Sequence, residues 1–301
     1  MDWRGYDEIL EKSGIITRLQ DEREVKKLQA MVKWFRKCYS TSDKVCVDYD
    51  DEIRTLAYFL TYYPAHAYQL YLLLHYIPRA LFRPFFAGRS LRVTFVGPGP
   101  GSDIYGLTNF VRENLRPRIA EMEVAVVERE LPFWQKYIDY SLDYSRNYFQ
   151  VGIGSSDYLA CDLSNCFACR SNCRAFSFDG PAVVVMQNLI NEKTVRQEAF
   201  LAGVERIAAR LHPGSLLIFS ETFYDINRDT LEEVARKITA DGCCHLVKFI
   251  NNPVVVSLSY SYRPEVLRVL NSEDGLIPKH NVKFYGLILQ KKMPAMRVAS
   301  W

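Results

Sequence analysis

Apolar positions recur with two different periods along this chain, and the change falls near residue 90. Before it, Val25, Leu28, Val32 and Phe35 repeat at helical spacing among lysines and glutamates, which predicts an amphipathic helix over Asp21–Tyr39. Ile53, Leu56, Ala57 and Leu60 predict a second helix over Asp50–Tyr62, and Pro64 suits the first turn of a third that runs to about Ile77. After residue 90, short runs rich in β-branched residues alternate with helical stretches. The runs are Val93–Val96, Met122–Val127, Tyr148–Ile153, Ala182–Met186 and Ser215–Phe219, and Glu192–Leu211 and Asp229–Thr239 are the clearest crossover helices. Such alternation builds a sheet with helices on its faces. His245–Ile250, Val254–Tyr260 and Val282–Gln290 read as further strands that pair antiparallel at the sheet edge, with a short helix over Pro264–Leu270. The chain therefore divides into an N-terminal helical cap, residues 1–85, and an α/β domain, residues 86–301.

One stretch in this pattern carries a ligand signal. In LRVTFVGPGPGSDIYGL, Leu91–Leu107, an apolar strand runs straight into Gly97, Gly99 and Gly101 and then into a helix. Glycines at alternate positions let the backbone approach a ligand, and the helix start presents free N–H groups to the same place. A dinucleotide fingerprint would put its third glycine at position 102, which is Ser102. A Walker loop needs a lysine, and no lysine or arginine stands between Val93 and Phe110. The turn thus suits a cofactor with little anionic charge.

Composition narrows the class without naming the chemistry. With 49% hydrophobic residues in 301, the chain has ample material for a core. A formal net charge of +3 does not mark a nucleic-acid binder. Acids from the second residue onward and no apolar run predict no signal peptide, and the apolar stretch Leu56–Phe86 is interrupted by prolines, histidines and arginines, so no membrane span is expected. A cytoplasmic protein is the expectation, with the nucleus as the other compartment.

The ordered series VTFVGPGPGSD, VAVVERE, YLACDL, VVVMQNLINE and LHPGSLLIFSE, over roughly Leu91–Glu221, resembles the motifs of class I S-adenosylmethionine-dependent methyltransferases. The resemblance implies a doubly wound, seven-stranded Rossmann-like sheet and S-adenosylmethionine as cofactor. It places Gly97, Gly99 and Gly101 under the methionine part and Asp103 toward its amino group. Glu128, ending the second strand, would take both ribose hydroxyls, since a carboxylate offers two acceptor oxygens to a vicinal diol. Asp162, with Leu163, would meet the adenine. Gln187 and Asn188 would line the opening where donor and acceptor meet, with Asn188 and Glu192 as the catalytic candidates; Glu221, a tyrosine, His66 and His75 are further candidate bases.

The acceptor is less legible. The chain lacks the Asn/Asp-Pro-Pro-aromatic and Pro-Cys motifs of the family's base-modifying enzymes, which leaves transfer assisted by proximity. Arg79, Arg83, Arg89 and Arg92 interleaved with Phe82, Phe85 and Phe86 favour RNA slightly over a small molecule or a protein side chain. A cofactor-binding sensor or scaffold without transfer activity, or an oxidoreductase on the same sheet, are the competing readings. Cys161, Cys166, Cys169 and Cys173 are spaced so that four thiolates can meet one ion, zinc being the expected guest; free thiols or a disulfide are the alternatives.

Overall fold

The computed structural model describes residues 1–41, 47, 49–149, 151–160, 179–190, 197–240, 242–271 and 273–293. The N-terminal part forms α1 (Arg4–Lys12), α2 (Ile15–Arg18), α3 (Glu22–Thr41) and α4 (Glu52–Leu74), followed by the short α5 (Arg83–Phe86). Strands and helices then alternate: β1 (Ser90–Val96), α6 (Ser102–Asn114), β2 (Glu121–Glu128), α7 (Leu131–Phe149), β3 (Gly152–Ala160) and β4 (Val183–Gln187). The rest comprises α8 (Gln197–Arg210), β5 (Leu216–Thr222), α9 (Asp225–Ala240), β6 (Cys244–Ser257), α10 (Pro264–Leu267) and β7 (Asn281–Lys291).

The seven strands form one sheet in the order β3-β2-β1-β4-β5-β7-β6. All neighbours pair in parallel except β7, which runs antiparallel to both β5 and β6. The doubly wound sheet with an antiparallel edge is thus as expected. Alternate side chains of each strand enter different cores. Val183, Val185, Leu216 and Ile218 join α4, α6 and α7 on one face, whereas Val184, Met186, Leu217 and Phe219 join α8 and α9 on the other.

Three local expectations change. Residues 52–74 form one helix with Pro64 inside it, not two helices broken at the proline. The missing Pro64 N–H removes one intrahelical bond, and burial of Leu56, Phe59, Leu60, Leu70, Leu73 and Leu74 around it outweighs that loss. The third strand starts at Gly152 instead of Tyr148, because α7 continues through Phe149. Its residues Gly152–Asp157 are glycines, serines and an aspartate around one isoleucine, an edge-strand composition with little apolar signal. The two strand-like runs around Pro253 are one strand, β6, whose register shifts between Ile250 and Val254. A proline is tolerated there because β6 lies at the sheet edge.

The helix α4 belongs to the same layer as α6. A Cβ at Gly106 of α6 would stand 2.4 Å from the carbonyl oxygen of Ala67 of α4, so the backbones touch where only glycine fits. That contact holds the middle of α4 above the carboxyl ends of β4 and β5.

Candidate functional site

In the sheet, the strand order reverses between β1 and β4, and the register aligns their ends. Val96 is level with Val127 of β2 and with Met186 of β4, and Gln187 is level with Ser220 of β5. Glu128, Gly97, Gln187 and Ser220 therefore stand side by side along the carboxyl edge, at the switch point where doubly wound sheets bind ligands.

The glycine turn is built from the end of β1. The Gly97 N–H donates to Val127 O at 2.7 Å, extending the ladder one residue before the chain turns away. Gly97, Gly99 and Gly101 all take left-handed backbone, at φ 64°, 53° and 81°. Their surroundings differ. A Cβ on Gly97 would lie 2.3 Å from Leu189 Cδ2, and one on Gly101 would lie 3.2 Å from the Ile138 Cα of α7. At Gly99 a Cβ would meet nothing within 4 Å. Two of the glycines thus serve packing, and the middle one leaves open space over the crevice.

Two carboxylates sit against this turn. Glu128 is 7% exposed; its Oε2 accepts the Gly99 N–H at 2.9 Å and its Oε1 accepts the Glu130 N–H at 3.0 Å. Burial raises its pKa, and the two backbone bonds oppose that rise. Each oxygen keeps a free lone-pair direction, as a diol-binding carboxylate requires. Asp103, 1% exposed, uses Oδ1 to accept the Ile104 N–H at 2.9 Å, while its Oδ2 is buried without a partner. Burial pushes Asp103 up to about 7, the Ile104 and Asp103 N–H groups pull it down, and the charge of Glu128 adds to the rise.

The ends of β4 and β5 form the other wall. Gln187 Nε2 donates to His66 O at 2.9 Å, and its Oε1 is buried and unpartnered. Asn188, held at φ 55°, accepts the Thr222 N–H on Oδ1 at 3.0 Å and leaves Nδ2 buried and unpartnered. Gln69 of α4 bridges to Ser220 Oγ at 2.9 Å and reaches Asn188 Oδ1 at 3.4 Å. Unsatisfied buried polar atoms are costly, and three of them, on Asp103, Gln187 and Asn188, belong to residues that end or follow adjacent strands at one switch point.

The candidate bases separate on this geometry. Glu221 accepts the Leu189 N–H at 2.9 Å and the Ile190 N–H at 3.4 Å, so it braces the turn after β4. His75 bonds Tyr71 O and packs on Phe110 of α6, roughly 13 Å along α4 from His66 at 1.5 Å per residue. His66 is buried at the crevice, with Tyr58 Oη 3.3 Å from its Nδ1. Burial and the charge of Lys279 lower its pKa to about 3, so its ring is neutral.

Asp162, Leu163, Glu192 and the cysteines Cys161, Cys166, Cys169 and Cys173 lie outside the described residues. Ala160, the last residue of β3, is level with Glu128. Among the described residues no three histidines, cysteines or acids come together as a metal site, and no helix is long and apolar enough to cross a membrane. The Arg79–Arg92 stretch leads into the start of β1, at the end of the strand opposite the glycine turn. Phe82 and Phe85 are buried in the core and Arg92 pairs with Glu123, so those rings do not form a stacking surface. Gln69 escaped the sequence reading, although a lone amide in the apolar run of α4 was a usable sign of a buried polar role.

No protein-family model and no curated protein matches the chain. Solved structures do resemble it. A proposed methyltransferase from Thermoplasma acidophilum is 18% identical, with 70% of this chain and 75% of that one covered at a TM-score of 0.39. Precorrin-6y C5,15-methyltransferase from Geobacter metallireducens is 14% identical, with 71% and 87% covered at 0.39. The arsenic(III) S-adenosylmethionine methyltransferase of Chlamydomonas reinhardtii is 15% identical, with 76% and 74% covered at 0.38. Its own strand order and the antiparallel β7 give the chain the doubly wound, seven-stranded Rossmann-like sheet.

Proposed function

We propose that this protein binds S-adenosylmethionine at the β1–β4 switch point and transfers its methyl group to an acceptor held beneath α4. The observation that carries this reading is the row Glu128, Gly97, Gln187, with a diol-ready carboxylate at one end and unpartnered amide groups at the other. The residues fit the cofactor. Glu128 would take the ribose hydroxyls, the open space over Gly99 would admit the ligand against backbone, and the orphan Asp103 Oδ2 would receive its ammonium. When bound, the cofactor supplies a methyl group already activated by the sulfonium charge.

The chain's own contribution is placement and exclusion of water. Asn188 is fixed by Thr222 and Gln69, so its Nδ2 points from a rigid mount. Gln187 is fixed by His66 O. Asn188 and Gln187 would orient the acceptor, and His66, whose burial and neighbouring Lys279 hold it neutral, would line the crevice without serving as a base. Glu192 stays a candidate from the resemblance alone. The tyrosines of α4 beside His66 favour a small acceptor, because two of the three rings in the Arg79–Arg92 stretch that pointed to RNA, Phe82 and Phe85, lie in the core.

Calorimetry with S-adenosylmethionine and with S-adenosylhomocysteine tests binding. Transfer is tested by incubating the protein with methyl-labelled cofactor and separate pools of metabolites, RNA and protein. Label is expected in the metabolite pool. Tight binding with label in no pool would favour a sensor or scaffold, and no binding would remove the reading.

A further inference from the structure

Lys279 lies just before β7, and its ammonium stands 4.5 Å from the centroid of the Tyr62 ring. Tyr62 stacks on His66, with centroids 5.7 Å apart and planes at 22°, and packs against Tyr58 at 4.9 Å and Tyr39 at 5.3 Å. Through His66 O the cluster reaches Gln187 at the end of β4. A lysine, an aromatic wall and an imidazole thus run continuously into the acceptor side of the crevice.

The charges in this cluster are unbalanced. Lys279 is half-buried, and among the described residues it has no ion-pair partner. Arg36 faces the same place, and its guanidinium is satisfied by the carbonyl oxygens of Gly275 and Ile277, which bring no negative charge. Burial and the charge of Arg36 push Lys279 down to about 8, and no carboxylate among the described residues acts in the other direction. Other half-buried cations here do have acids: Arg112 pairs with Asp2 and Glu113, and Arg18 with Glu24 and Glu52. A sheltered cation without a counter-charge costs free energy that a bound anion would return.

We propose that Lys279, flanked by the Tyr62 ring, recognises an anionic group, a carboxylate or a phosphate monoester, on the methyl acceptor. This rests on the methyltransferase reading, and it narrows the acceptor to an anionic molecule. The cation sets the orientation, and the stacked Tyr62 and His66 rings connect it to the Gln187 end of β4.

Calorimetric titration of benzoate, phenyl phosphate and neutral benzyl alcohol into protein saturated with S-adenosylhomocysteine tests the assignment. At least one anion should bind saturably, about 10-fold or more tighter than benzyl alcohol, as a charge-assisted hydrogen bond allows. Benzoate alone would assign a carboxylate, phenyl phosphate alone a phosphate, and both a shared anion site. Lys279→Gln should abolish the preference while leaving S-adenosylhomocysteine affinity within about twofold, and Lys279→Arg should restore it. Lys279→Met serves if the glutamine variant does not fold. Equal binding of anion and alcohol, or an anion preference untouched by Lys279→Gln, would overturn the proposal. Failure of S-adenosylhomocysteine to bind at all would instead sink the methyltransferase reading, and the same titrations on the free protein would still judge Lys279.

Discussion

The backbone N–H of Gly99 donates a 2.9 Å hydrogen bond to Glu128 Oε2, which ties the turn after β1 to the acid that ends β2. The two residues are far apart in sequence and meet because Val96 and Val127 pair in parallel register. The bond holds the carboxylate at the mouth of the crevice before any ligand arrives, so little ordering remains to be done on binding. It also lowers the cost of keeping Glu128 buried.

The three glycines separate stability from binding. Gly97→Ala forces left-handed backbone on a residue with a Cβ and drives that atom into Leu189, so a loss of about 2–4 kcal/mol in chemical denaturation is expected. Gly99→Ala meets no protein atom and should cost only about 1 kcal/mol. Its methyl group enters the space proposed for the cofactor, and affinity should fall about 10-fold or more. Equal effects of the two changes on stability would contradict the packing described.

Asp103 should leave a mark on the pH dependence of stability. Its pKa is about 7 in the folded chain against an ordinary 3.8, so between those values the folded chain holds a proton that the unfolded chain releases. Stability from this group is therefore highest near pH 4 and declines as pH rises to about 7. Asp103→Asn should remove that decline, so that the variant gains on the native protein as pH rises and exceeds it at about pH 8. A cation bound beside Asp103 would favour the charged form, so cofactor binding near pH 6 should release a proton, measurable by calorimetry in two buffers and absent in Asp103→Asn.

Gly106 tests the seating of α4. An alanine Cβ would lie 2.4 Å from Ala67 O, and neither backbone can yield without separating α4 from α6. Gly106→Ala should destabilise by about 1–3 kcal/mol and also loosen Gln69 and His66 over the crevice. A variant as stable as the native protein would show that this contact does not position the helix.

Much of this was legible in the residues, and the gaps have physical causes. Central strands such as Val183–Gln187 are buried on both faces and read as apolar runs, which is why β1, β2, β4 and β5 stand out. Edge strands carry weaker patterns, so β3 was misplaced and β6 was split at Pro253. Glu128 was readable because it ends a strong strand. The continuity of α4 through Pro64 depends on packing from α3, α6 and β7, which no local rule contains. Lys279 and Gln69 carry no motif. Their meaning comes from the partners that the fold supplies or withholds.

The most direct measurement is isothermal calorimetry of S-adenosylmethionine with the native protein and Glu128→Ala, each first shown to be folded by thermal unfolding. The account predicts one molecule bound per chain, with affinity weakened about 10- to 100-fold in the variant, the loss expected when a charged hydrogen-bonding partner is removed. No binding by the native protein, or an affinity unchanged by Glu128→Ala, would contradict it.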